Sequence, residues 1–136
     1  AVGVAAMLAA RSSGVETVIA VDIVDAKLEL AKSLGASHTL NTKSVSDLTQ
    51  GLLDILPDGV DCILDTTGVV PLLEAAVKAL GHEGTLAIVG VARAGSSLNI
   101  DPLKLMMGCQ RVVGVIEGCA NPAVVSLLFE NHLSHD

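Results

Sequence analysis

The sequence predicts an α/β chain built as a doubly wound parallel sheet. Short β-branched runs alternate with stretches of helical periodicity, which is the order expected of parallel βαβ units. Glycines at 14 and 35 and prolines at 71 and 102 punctuate that alternation where helices would stop and start. With 136 residues, 51% of them apolar, there is chain for one domain and enough apolar side chain for its core.

Each element has its own signal. Val2 to Ser13 is alanine-rich almost all round, which suits a helix pressed closely on a sheet, and Gly14 ends it. A strand follows at Thr17 to Asp22. Asp25 is placed to cap a helix whose Leu30, Ala31 and Leu34 make the apolar face, with Gly35 as a left-handed stop. His38 to Asn41 reads as a short edge strand. A helix from Ser46 to Leu56 turns Leu48, Leu52 and Ile55 inward, and Pro57-Asp58-Gly59 then reverses the chain into a strand at Val60 to Asp65. Pro71 suits the first turn of a helix with Leu72, Leu73, Ala76, Val77 and Leu80 on its apolar side, closed by Gly81. Gly84 to Val91 is a central strand. Asp101-Pro102 and Asn121-Pro122 open two further helices, and Val112 to Ile116 is apolar enough for a strand buried on both faces. Five strands and six helices are expected.

Composition excludes several classes. A net charge of −7, spread along the chain, argues against nucleic-acid partners, which call for clustered Lys and Arg. No apolar run approaches the roughly 18 residues of a membrane span. Ala1 to Leu8 lacks the basic flank of a secretory signal, and no initiator Met is present, so the start reads as a cut through a longer chain. Cys62, Cys109 and Cys119 are odd in number and never approach C-x-x-C spacing; reduced thiols in a cytoplasmic protein are expected, Cys62 as a small core residue.

Ligands of such sheets bind beyond the carboxyl ends of the strands. Ala1-Val2-Gly3 fits the last three positions of a G-x-G-x-x-G phosphate loop, and Asp22 stands 19 residues after Gly3 at a strand end, where the fingerprint of the Rossmann fold has its acidic residue. The glycine lets helix and strand approach, and the helix N-terminus offers unpaired N–H groups to a diphosphate. A carboxylate at Asp22 would accept from both adenosine ribose hydroxyls and repel a 2′-phosphate. Charge-assisted bonds of this kind contribute roughly 1.5–3 kcal/mol, so NAD should be preferred over NADP by at least about tenfold. Lys27 is placed to reach the same ribose. The competing reading has Asp22 merely capping a loop and Lys27 as an ordinary exposed helix lysine. A further alternative is a non-catalytic nucleotide-sensing or S-adenosylmethionine-binding module.

Several runs together carry a family resemblance: Ala1-Val2-Gly3, Ile19-Ala20-Val21-Asp22-Ile23, Leu30 to Ala36, Asp65-Thr66-Thr67-Gly68, Ile88-Val89-Gly90-Val91 and Gly114-Val115-Ile116-Glu117-Gly118. In order and across the entire chain they resemble the coenzyme domain of zinc-dependent medium-chain alcohol dehydrogenases, and the last run followed by Asn121-Pro122 is most similar to the aryl- (benzyl-) alcohol branch. The resemblance implies Val2 and Gly3 near nicotinamide and diphosphate, Asp22 and Lys27 on the adenosine ribose, and Thr66 lining the cleft. It implies Val89, Val91, Val115 and Glu117 beside the nicotinamide, largely through backbone groups. It also implies an oxidoreductase passing hydride between NAD and a primary, aromatic or allylic, alcohol, with zinc held by a catalytic domain outside these residues. Residues 1–136 then supply no catalytic residue and no metal ligand, and are expected to be inactive alone. Their partners would be NAD(H) and the catalytic domain of the same chain, and a homo-oligomer is compatible with the reading. An NADPH-dependent quinone or enoyl reductase of the same superfamily is the other enzyme reading.

Two histidine motifs imitate metal sites. Gly81-His82-Glu83 matches a zinc-ligand tripeptide of these enzymes, yet it leads directly into a strand, and His82 is expected to be solvated. His132 and His135 have helical spacing beside Asp136 but read as a frayed chain end. The expected strand order 3-2-1-4-5-6 places strand 1 before Ala1, so the strands at 17–22 and 60–65 should lack the neighbour that separates them. Upstream residues, another chain or a rearrangement of the two half-sheets would resolve that.

Overall fold

The computed structural model describes residues 1–116, which form five helices and five strands in alternation. In chain order these are α1 (Val2–Ser12), β1 (Ile19–Asp22), α2 (Asp25–Ser33), β2 (His38–Asn41), α3 (Leu48–Ile55), β3 (Val60–Asp65), α4 (Val70–Ala79), β4 (Leu80–Ile88), α5 (Pro102–Met107) and β5 (Arg111–Gly114). The expected helix at Asn121-Pro122 lies outside the described residues.

All pairings are parallel, and they divide into two sheets. β1 pairs with β2 in one; β3, β4 and β5 form the other in that order. Among the described residues β1 and β3 each have one edge that pairs with no strand. Each sheet has its own apolar cluster. Leu73, Ala76, Val77 and Leu80 pack on the fully buried Leu86, with Ile63, Ile88, Leu98, Ile100 and Val112 around them. Met7, Ala31 and Ala36 pack with Val18, Ala20 and Leu34. α3 bridges toward α4, where the Thr49 hydroxyl donates to the Ala75 carbonyl at 3.1 Å.

Several local expectations are corrected. α1 packs on β1 through Met7, its one buried residue, which lies with Val18, Ala20, Ala31 and Ala36, so most of its alanine surface is left partly or fully exposed. Asp25 is the first residue of α2 and not its cap. Its carboxylate accepts from the Asn41 side chain at 2.5 Å, while the β1–α2 turn is held by Asp22. Leu28 and Ala31 are the buried pair of α2, three residues apart on one face, and Leu30 turns half out. α4 runs from an extended Leu80 directly into β4, so Gly81 does not close the helix. A Cβ there would lie 2.8 Å from the Asp58 carbonyl oxygen, and one at Gly59 would lie 2.4 Å from Gly81, so the two glycines let chain turns touch backbone to backbone. β5 is an edge strand with Val113 exposed, and Cys62 on β3 is exposed, because each of these strands has one neighbour among the described residues.

The Asp101-Pro102 start is as expected. The Asp101 carboxylate accepts from the backbone N–H groups of Leu103 at 2.9 Å and Lys104 at 3.3 Å, with Pro102 in the first turn. Asp101→Ala should lower unfolding stability by about 1 kcal/mol. A urea midpoint unchanged from wild type would show that this cap contributes nothing.

Candidate functional site

Parallel pairing brings the carboxyl ends of β3, β4 and β5 into one row: Asp65 is in register with Ile88, and Ile88 with Gly114. Thr66, Val89, Val91 and Val115 therefore emerge along the same edge. On the other sheet Asp22 ends β1 beside Asn41 at the end of β2. The expected site residues among the described positions thus lie at strand ends or, in Val2, Gly3 and Lys27, on the first turns of α1 and α2. Glu117 lies outside the described residues, as do Cys119, His132 and His135.

Asp22 divides its carboxylate between two tasks. Oδ1 accepts from the backbone N–H groups of Ile23 at 2.8 Å and Val24 at 3.0 Å, which shapes the turn into α2. Oδ2 faces the Lys27 ammonium at 3.7 Å, and the side chains are 31% and 67% exposed. An ion pair that open contributes less than about 1 kcal/mol to stability. Its chemical use is a pre-oriented carboxylate oxygen with a cation beside it, accessible to a diol. The capping and ligand readings of Asp22 are therefore compatible, since each uses a different oxygen.

Gly3 approaches Thr66 across the gap between the sheets. A Cβ on Gly3 would lie 3.9 Å from Thr66 Oγ1, an ordinary contact, so this glycine is not forced by Thr66. Val2 is more than half exposed, and no side chain caps the α1 N-terminus at Ala1.

The most ordered part of the site is centred on Asp65, the one buried charged residue among the described positions at 8% exposure. Its Oδ1 accepts from the Thr67 N–H at 3.1 Å and the Thr67 hydroxyl at 2.7 Å; Oδ2 accepts from the Gly68 N–H at 2.8 Å. Its main-chain carbonyl accepts from the N–H groups of Val89 at 2.9 Å and Gly90 at 3.0 Å. Gly90 and Gly68 bring the two loops into backbone contact. A Cβ on Gly90 would meet the Gly68 nitrogen at 2.2 Å, and one on Gly68, whose φ is +67°, would meet the Val91 carbonyl carbon at 2.5 Å. Asp65 and these glycines fall within the runs that carry the family resemblance, but none of the three is among the expected site residues. The signal was there in Asp-x-Thr-Gly at a strand end, a pattern in which short polar side chains bond the backbone of their own turn.

The geometry also restricts which backbone groups face a ligand. The Val89 N–H is engaged by Asp65 and the Val115 N–H donates to the Ile88 carbonyl at 2.9 Å, so these two residues can offer a ligand amide their carbonyl oxygens. Val91 is 93% exposed.

Gly81-His82-Glu83 lies near the opposite end of β4 from this row. His82 is exposed, as expected for a solvated residue, although within the irregular start of the strand; Glu83 is left-handed at φ +58°. Among the described residues no three His, Cys, Asp or Glu side chains gather as a metal site, and no helix is long and apolar enough to cross a membrane. A groove beside α3, lined by Leu40, Val45, Asp47 and Gln50, does not border the strand-end row.

Residues 1–130 match the family described as zinc-binding dehydrogenase. A probable S-(hydroxymethyl)glutathione dehydrogenase of Schizosaccharomyces pombe is 36% identical over 111 residues, covering 80% of this chain and 29% of that protein. The crystal structure of benzyl alcohol dehydrogenase from Acinetobacter calcoaceticus superposes with a TM-score of 0.88 at 38% identity, over 96% of this chain and 37% of that one. That of an alcohol dehydrogenase zinc-binding domain protein from Burkholderia ambifaria gives a TM-score of 0.90 at 37% identity, over 98% and 36%. The chain thus spans about a third of the length of these relatives, and the Rossmann-like fold is shared with both solved structures.

Proposed function

Since the chain belongs to the zinc-binding dehydrogenases, we propose that it is the NAD(H)-binding part of an alcohol dehydrogenase that passes hydride between NAD and a primary, aromatic alcohol. The observation that carries this reading is the strand-end row of Thr66, Val89, Val91 and Val115, with the Asp22 carboxylate presented at the end of β1. When bound, NAD supplies the hydride acceptor. The residues fit it in a definite way. Asp22 Oδ2 and Lys27 hold the adenosine ribose hydroxyls. Val2 and Gly3 bring the α1 N-terminus to the diphosphate, and Thr66 lines the cleft beneath Gly3. The carbonyls of Val89 and Val115 accept from the carboxamide, with Val91 flanking the ring.

The family's name implies zinc as well. No metal cluster forms among the described residues, so these residues are given no part in zinc chemistry. On this reading they bind and orient the cofactor, and the alcohol is activated by a catalytic domain of the same polypeptide. The aromatic alcohol is supported by the likeness to benzyl alcohol dehydrogenase.

NADH and NADPH titrations monitored by nucleotide fluorescence test the cofactor assignment. NADH should bind at least about tenfold more tightly, because a 2′-phosphate would meet the Asp22 carboxylate. Equal binding, or a preference for NADPH, would point instead to a reductase of the same superfamily. In turnover assays benzyl alcohol should be oxidised by the full-length enzyme and not by residues 1–136 alone.

A further inference from the structure

Asp65 does more than cap a turn. It is the last residue of β3, and it accepts hydrogen bonds from two different loops: its carboxylate accepts three from Thr67 and Gly68 after β3, and its carbonyl accepts two from Val89 and Gly90 after β4. The turn it organises then seats directly on the second loop, since no atom beyond hydrogen fits on Gly90 toward Gly68, Thr67 and the Asp65 carboxylate itself. The Thr67 hydroxyl extends the arrangement by accepting from the Val69 N–H at 3.1 Å, at the entry to α4. A buried carboxylate without such donors would be costly, so these bonds and the loop geometry hold one another in place.

We infer that Asp65 is the positioning residue for the nicotinamide half of the cofactor: its carboxylate and carbonyl together set the relative placement of Thr66 and of Val89 to Val91. The inference rests on the NAD-binding reading above. It goes further in dividing the site. The adenosine half is organised by Asp22 on the β1–β2 sheet, and the nicotinamide half by Asp65 on the β3–β4–β5 sheet, with no hydrogen-bonded ladder joining the two sheets among the described residues. Loss of the Asp65 network should therefore weaken a ligand that reaches the second sheet and spare one that ends at the first.

The test compares NADH with ADP-ribose, which carries the adenosine, the diphosphate and a second ribose but no nicotinamide. Both are titrated by calorimetry into the full-length protein as wild type, Asp65→Ala, Thr67→Val and Thr67→Ser. Asp65→Ala and Thr67→Val should weaken NADH roughly tenfold and ADP-ribose by less than about twofold, while Thr67→Ser, which keeps the hydroxyl, stays near wild type. If Asp65→Ala does not fold, Thr67→Val carries the comparison. Parallel weakening of both ligands would show a merely structural role and overturn the inference, as would NADH binding that none of the variants changes. Wild-type protein that bound neither NADH nor ADP-ribose would defeat the dinucleotide reading itself and this inference with it.

Discussion

Gly90→Ala should lower the unfolding free energy by about 3 kcal/mol or more, although it adds a single methyl group. The added carbon would lie 2.2 Å from the Gly68 nitrogen, 2.5 Å from the Thr67 nitrogen and 2.7 Å from Asp65 Oδ2. Two of these are main-chain atoms, so no rotamer change relieves the clash. The turn must move, and moving it withdraws the N–H groups that the buried Asp65 carboxylate accepts from. Overpacking typically costs about 1–3 kcal/mol, and a buried acceptor left without donors about 1–3 kcal/mol in addition. Gly114→Ala is the control, since a Cβ there meets nothing within 4 Å among the described residues and Gly114 has no left-handed φ. Urea titrations of the two variants should separate widely in midpoint with similar slopes. If Gly90→Ala unfolded alongside Gly114→Ala, the close seating of the two loops would be refuted.

The second large effect concerns the cofactor. On the proposed reading, Asp22→Ala should weaken NADH by roughly 10- to 100-fold and narrow or reverse the expected discrimination against NADPH, since it would remove both a ribose acceptor and a charge that repels a 2′-phosphate. Part of the change will be structural, because Oδ1 also holds the Ile23 and Val24 N–H groups. Asp22→Asn separates the contributions: its amide oxygen can keep the turn while the negative charge is lost. Asn should therefore retain most of the stability and still lose most of the preference for NADH over NADPH. Variants that kept the wild-type ratio of NADH to NADPH affinity would remove Asp22 from the ribose site.

The parts of this architecture that were legible in the sequence are those decided within a few residues. β2 at His38–Asn41 and β3 at Val60–Asp65 fall where they were expected, β3 directly after the turn at Gly59. Asp101 and Pro102 announce α5 by an aspartate that caps and a proline that needs no N–H donor. Less legible were features that depend on what a residue meets across space. Gly81 follows a helix and so resembles a stop, but its lack of a side chain serves the approach of Gly59. The apolar spacing of α2 admits either Leu28 or Leu30 beside Ala31, and only the tertiary surroundings, which bury Leu28 and leave Leu30 half exposed, select between them. In the candidate site, Asp22 is marked as a candidate by its distance from Gly3, a spacing that a βαβ unit imposes. Asp65 has no such spacing to announce it, because its importance arises from a second loop more than twenty residues further along the chain.

The separate coring of the two sheets bears on how such a domain diverges. The Met7–Ala31–Ala36 cluster and the Leu73–Leu86 cluster have no residue in common. Substitutions in distant, unconnected clusters contribute nearly additively. On the proposed reading, a lineage can therefore exchange the residue at position 22, and with it the preferred dinucleotide, without repacking the Leu73–Leu86 half. It can equally adjust the loops around Asp65 while keeping the Met7–Ala31–Ala36 half. Under that reading the two ends of the dinucleotide site become separately heritable traits within one short stretch of chain.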